Sequence, residues 1–349
     1  MSYELHAVSA ITDIPALVGT FAQTIGFSVD LSTPSQPIIW NPTPNSNSIS
    51  NTLFYESDPI RWRLQASAAG LTHRLFLEMY DYTSNSLLDT IITSGCDFFS
   101  PITDPAQTAA AVLVPSFVHL FGDLSPAPYI GIVVEYPGDI YRHMYIGNME
   151  KIGDYEGGEV ISASDGPGTI TGTTAYNSTT RMKYLFSARS SFKSAAFSGG
   201  VYADAGSNDV PWRKFLGPIS TAPLSNMGNE AVIGGFNDSI NDGYLARARA
   251  PFAGSNILVP INLYATEQLI GDSSFIPIGR PAGIRAVNMQ DLSPKQEIIV
   301  GGFEWFVFPA LSRQLSKNMT KSSASSYPVS LSSHWVGYAY RTGEEDSNS

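Results

Sequence analysis

At 349 residues the chain is long enough for one large domain or two to three ordinary ones, and its 43% hydrophobic content supplies a sizeable core. Charged residues make up only 15% and the formal net charge is −11, which argues against general nucleic-acid binding and against a basic membrane anchor, since both need a basic face. The single cysteine, Cys96, excludes an intrachain disulfide framework. Ser, Thr, Asn, 30 Gly and 23 Pro take the place of charge, the composition of a protein built from strands, turns and long loops.

The start, MSYELHAVSAITDIPALVG, lacks the basic residues and apolar run of a signal peptide. The most apolar region, 109–121, is broken by Pro115 and His119 and is too short to span a bilayer. The expectation is a soluble protein made inside the cell. Sequons begin at Asn177, Asn237 and Asn318, but nothing in the chain marks a secretory route.

The clearest helix lies in DIPALVGTFAQTIGF. Asp13 is placed to cap it, Pro15 fits its first turn, and Gly26 can end it. Ile14, Leu17, Val18, Phe21 and Ile25 fall on one face, which needs a sheet or a neighbouring subunit to cover it. IIWNPTPNSNSISN reads as a loop from its Pro and Asn. TLFYES, IRWRLQAS and HRLFLEMYDY follow as an antiparallel meander. In the second, Ile60, Trp62 and Leu64 alternate with Arg61, Arg63 and Gln65; in the third, Leu75 and Leu77 alternate with Phe76 and Glu78. DPAQTAAAVLVP predicts a second short helix, with Asp104 as cap and Pro115 as stop.

YIGIVVEYPGDIYRHMYIG predicts a hairpin turning at Pro137-Gly138-Asp139. From 162 to 180 the chain is almost all Ser, Thr, Gly, Ala and Asn, an exposed loop or arm, and 203–252 is a second loose stretch. NILVPINLYA, QEIIVGGFEWFVFPAL and SHWVGYAYRT predict later strands. In GFEWFVFPAL both faces are largely apolar, so that strand is expected to be buried on each side. KNMTKSSASSYPVSLSS is a further low-charge loop, and GEEDSNS is an acidic tail. No fixed-period repeat occurs.

The fold class expected is mainly β (α+β): an antiparallel sheet or β-sandwich-like core with an N-terminal helix, a second short helix and long Gly/Ser/Asn-rich loops or arms. One large β-rich domain spans 1–349. A subdivision, if there is one, falls between 1–160 and 161–349.

Catalytic chemistry is hard to find. G-x-S-x-G is absent, and Cys96 in TSGCDFF has no nucleophile signature around it. His6, His73, His119, His143 and His334 are scattered without ligand spacing. FNDSINDGYL alternates Asn237, Ser239 and Asn241 but holds Asp242 where a calcium loop needs Gly. GPGTITGTT has glycines without the basic residue a phosphate loop requires. The richest stretch is YRHMYIGNMEKIGDYEGGEVISAS (141–164), where Glu150, Asp154, Glu156 and Glu159 could in principle form a glycosidase pair. The acids instead cluster around a Gly-rich bend, which reads as constrained backbone with surface carboxylates. The sequence therefore assigns no catalytic residue, no cofactor-binding residue and no metal ligand, and calls for no cofactor.

Three motifs carry a resemblance. Tyr-Arg-His-Met-Tyr-Ile-Gly-Asn-Met-Glu-Lys-Ile-Gly (141–153) followed by Gly157-Gly158, GGFEWFVFPALSR and HWVGYAYR together resemble structural proteins of tailed bacteriophage virions. The resemblance implies a non-enzymatic component of the virion, made in the bacterial host cytoplasm and self-assembling into a homo-oligomeric ring of the tail, at the tube-to-baseplate region. Its implied partners are copies of itself and other tail or baseplate proteins such as tube, sheath or hub, with no specific nucleic-acid binding and no membrane. Within that class the alternative is a neck, head–tail joining or capsid-decorating protein. From another class comes a carbohydrate-binding or depolymerising tail protein, for which Trp40, Trp62, Trp212, Trp305 and Trp335 could stack on sugars; Trp62 and Trp305 sit in apolar strand patterns and read as core.

Overall fold

The computed structural model describes residues 1–40, 61–69, 72–80, 95–100, 112–125, 127–152, 159–163, 200–203, 213–214, 258–261, 263–269, 272–289, 291–309 and 336–344. In chain order the elements are β1 (Ser2–Ala7), α1 (Ile14–Ile25), β2 (Ser28–Asp30), β3 (Ile38–Trp40), β4 (Arg61–Ala69), β5 (Thr72–Tyr80), β6 (Gly95–Phe99), β7 (Phe117–Asp123), β8 (Tyr129–Tyr136) and β9 (Ile140–Lys151). There follow β10 (Glu159–Ala163), β11 (Gly200–Ala203), β12 (Arg213–Lys214), β13 (Leu258–Pro260), β14 (Leu263–Leu269), β15 (Asp272–Pro281), β16 (Ile284–Asn288), β17 (Gln296–Val300), β18 (Phe303–Pro309) and β19 (Val336–Glu344). The chain is mainly β, its paired strands are antiparallel, and one short α-helix stands near the N-terminus.

Helix α1 forms where its sequence pattern places it. Pro15 sits in the first turn, Ile14, Val18, Phe21 and Ala22 are buried, and Gly26 closes the helix at φ 102°. Asp13 precedes the helix but makes no cap bond to it. Its carboxylate accepts instead from the Ser9 and Ala10 backbone N–H groups, at 3.1 and 2.9 Å, and so ties down the single 3₁₀ turn before the helix.

Strands β2-β3-β4-β5-β6 form a five-stranded meander. Trp62 and Leu64 are fully buried as the alternation requires, while Ile60 lies outside the described residues. Leu75 and Leu77 are buried too, and Glu78 on the opposite face is held by Arg63 and Gln65, both at 2.6 Å. The stretch expected to be a loop from Ile38 begins instead as β3, because Ile39 fills the core between β2 and β4; residues 41–60 lie outside the described set. The second helix, expected over 104–115, is described only at 112–115, which are not helical.

The central sheet runs β1-β7-β8-β9-β10-β11-β12, with β15 also pairing to β9 and β14 to β15. Its β8–β9 hairpin turns where predicted, with Gly138 at φ 84° and Asp139 at φ 54°, the left-handed conformations that Gly and Asp tolerate. The outer sheet runs β13-β16-β19-β18-β17. NILVPINLYA, expected as one strand, divides around Ile261: β13 ends at Pro260 and pairs with β16, whereas β14 pairs with β15. The expected arms at 162–180 and 203–252 fall outside the described residues except where 162–163 complete β10, 203 ends β11 (Gly200–Ala203) and 213–214 form β12.

The core shows how the sheets layer. One cluster joins Val18 and Phe21 of α1 and Trp62, Leu64 and Leu77 of the meander to Val118, Ile130, Ile132, Val134, Met144 and Ile146 of the central sheet. The other face of the central sheet meets the outer sheet through aromatic rings: Phe121 on Tyr340 at 4.8 Å, and Tyr141 on Phe308 at 5.6 Å. The central sheet is thus covered on both faces. That explains why β8 is buried at every position, and β9 from Tyr141 to Met149.

β18 behaves as its two apolar faces predict. Trp305 and Val307 pack with Val287, Met289 and Ile298, while Phe308 on the reverse packs against the central sheet. The corner from β15 into β16 links central and outer sheets at Gly283, where φ is +63° and an added Cβ would lie 2.0 Å from the Tyr129 ring. Only glycine fits there.

Candidate functional site

The segment with the most chemistry, 141–152, is interior wall from Tyr141 to Met149. His143 is fully buried between the two sheets, with Nε2 3.0 Å from the Pro309 carbonyl and Nδ1 2.9 Å from the Tyr340 hydroxyl. A carbonyl only accepts, so Nε2–H donates to Pro309 and the Tyr340 O–H donates to Nδ1. Both nitrogens of a neutral ring are satisfied. Burial pushes its pKa down to about 3, reinforced by the Arg142 and His119 charges and only partly opposed by the Pro309 bond. Tyr145 is equally occupied: its hydroxyl donates to the Ala282 carbonyl at 3.1 Å.

Of the four carboxylates singled out in the sequence, Glu150 is met by arginines rather than by a second acid, with Arg280 Nε at 2.6 Å and Arg285 at 3.6 Å. Asp154 and Glu156 lie outside the described residues, and Glu159 opens β10 opposite Asn148. Cys96 pairs with Leu77 in the meander. Trp62 and Trp305 are 0% and 5% exposed, so neither offers a face to a sugar. The Asn237 turn, the 166–174 glycines, Trp212, Trp335 and His334 lie outside the described residues. Among the described residues no three His, Cys, Asp or Glu side chains gather as a metal-binding group.

A different constellation sits near the open end of the two sheets. Tyr3 on β1 lies 3.0 Å from His119 Nδ1, His119 Nε2 lies 3.0 Å from Glu135, and Lys295 Nζ donates to the other Glu135 oxygen at 2.8 Å. Lys295 takes φ 64°, unusual for a residue with a Cβ, and its backbone N–H donates to Val307 at 2.8 Å. Burial opposes ionisation of Glu135, but the bonds from His119 and Lys295 and their charges outweigh it and hold the carboxyl below its ordinary range. Burial raises the Tyr3 phenol, and the Glu135 charge raises it further.

A hydroxyl, an imidazole and a carboxylate in a row have the order of a nucleophile and its base. Here the acid's charge disfavours the phenolate, and the Tyr3 ring is stacked on Phe121 and tilted on Phe306, each at 5.0 Å. The chain of bonds works as a tie that fixes β1 and the 295 turn to the sheet interface.

Beyond the tie, the surface turns apolar. Leu5 is 51% exposed on β1, Phe117 37% on β7, and Ile299 56% on β17. β1 and β17 are the terminal strands of their sheets, and the Tyr3–Phe306 contact sets β1 over the neighbour of β17. None of these residues was singled out as functional in the sequence. The alternation of Tyr3 and Leu5 with Ser2, Glu4 and His6 was the available signal for β1, but six residues make a weak pattern. The tie has no local signal, since its members lie far apart in the chain.

In comparisons with known proteins, no family model and no curated protein matches this chain. Among the described residues no helix is long and apolar enough to cross a membrane.

Proposed function

We propose that the protein is a non-enzymatic structural component of a tailed-phage virion, self-assembling into a ring of the tail at the tube-to-baseplate region. The observation that carries this is the fate of 141–149: the residues that look most like chemistry are buried wall, each imidazole and hydroxyl of His143 and Tyr145 being used inside the fold. Support also comes from the resemblance of 141–153, GGFEWFVFPALSR and HWVGYAYR to virion proteins. Two terminal strands with exposed aliphatic side chains suit a protein that works by joining neighbours. The stretch 162–180 and the loop 317–333, poor in charge and rich in Ser and Thr, have the composition of the extended arms such joints use.

Electron microscopy of the purified full chain, with mass spectrometry of virions from the phage that encodes it, tests the proposal. Closed rings and a fixed copy number per virion are expected. A chain absent from purified virions, or one that cleaves or binds glycans in a screen, overturns it.

A further inference from the structure

β1 ends the central sheet, bonded to β7 on one side and to no described strand on the other. Terminal strands of monomers are usually guarded by proline, a bulge or an unpaired charge. β1 has none of these: its register against β7 is unbroken from Ser2 to Ala7, and Glu4 and His6 are occupied with each other at 2.8 Å. Between them stands Leu5, half exposed.

We propose that β1 pairs antiparallel with β1 of a second copy of this chain, about a two-fold axis passing through Leu5. The strand is complementary to itself at that point. Glu4 falls opposite the second copy's His6, His6 falls opposite its Glu4, and the two Leu5 side chains cover one another. An axis perpendicular to the sheet keeps every side chain on its own face, so the register can shift only by steps that preserve the pleat. The neighbouring choices set Glu4 against Glu4, or His6 against His6, and leave Leu5 facing Tyr3 or Ala7. Like charges directly opposite destabilise a pair of strands, and an acid opposite an imidazole stabilises it. Only the Leu5-centred register is complementary.

This joint is independent of the virion proposal. A two-fold contact closes on itself, whereas a ring needs a head-to-tail surface as well. Sedimentation equilibrium of the full chain is the test, with Leu5→Lys, His6→Glu and the double change Glu4→His with His6→Glu. A dimer is expected for the unaltered chain, alone or as the repeating unit of a larger ring. Leu5→Lys and His6→Glu each weaken it about tenfold or more, and adding Glu4→His to His6→Glu restores it.

Restoration separates a lost contact from a lost fold. A monomer at every concentration, or a dimer indifferent to these changes, overturns the joint. Hydrogen exchange of residues 2–7 in the unaltered chain reads the joint without substitution. Protection that rises with protein concentration supports it, and exchange independent of concentration contradicts it. A dimer without rings leaves the joint standing and removes the ring; rings unaffected by Leu5→Lys do the reverse.

Discussion

The two faces of the central sheet are both closed, but in different chemistry. Toward α1 and the meander it presents Val118, Leu120, Ile130, Ile132, Val134, Met144 and Ile146. Toward the outer sheet it presents His119, Phe121, Tyr129, Tyr141, His143 and Tyr145, whose rings stack, and among them His119, His143 and Tyr145 bond to polar groups distant in the chain. Aliphatic packing is non-directional and tolerates small changes of volume. The aromatic face is held by directional bonds, so a displaced strand strands a buried imidazole or hydroxyl. The first face supplies burial; the second specifies how the sheets sit on each other.

That difference can be broken most severely at the corner joining the two sheets. Gly283→Ala forces a Cβ into the Tyr129 ring at a positive φ, and urea unfolding should show a loss of about 3–5 kcal/mol. A loss below about 1 kcal/mol would mean that Tyr129 is free to move.

Next comes acid sensitivity. The folded pKa of His143 lies at about 3, well below the ordinary 6.5. The neutral ring is the form the fold favours, so its contribution is full above about pH 6.5. It falls by roughly 1.4 kcal/mol per unit as pH drops through the window down to about 3. Carboxylates add their own slope, so the readout is the difference between the unaltered chain and His143→Gln. The variant should be the flatter of the two.

Tyr340→Phe removes the donor to His143 Nδ1 and leaves that atom buried without one, at a cost of about 1–3 kcal/mol. Ile132→Val on the aliphatic face deletes one methylene and should cost about 0.5–1.5 kcal/mol. Thermal unfolding of the two side by side sharpens the contrast. If the phenylalanine variant were the milder, the aromatic face would not be held by its bonds.

Much of the fold was legible because it rests on local patterns. α1 declared itself by one apolar face, a first-turn proline and a closing glycine; the β8–β9 hairpin by Pro-Gly-Asp; β4 by Trp62 and Leu64 against the arginines. β3 and the split at Pro260 were missed because three-residue strands are chosen by their partners rather than by period. The interior use of His143 could not be read from Tyr-Arg-His-Met-Tyr, since its partners are 166 and 197 residues away. The Tyr3–His119–Glu135–Lys295 tie was illegible for the same reason as His143: it exists only once β1, β7, β8 and the turn before β17 are assembled.

The most direct test that the chemistry-rich strand is wall is an NMR titration of ring-labelled His143. A neutral imidazole in the Nε2–H tautomer, unchanged from pH 8 down to about 5, is the predicted result. An imidazole that titrates near its ordinary value would place His143 in contact with water, and would make 141–152 a site open to chemistry after all.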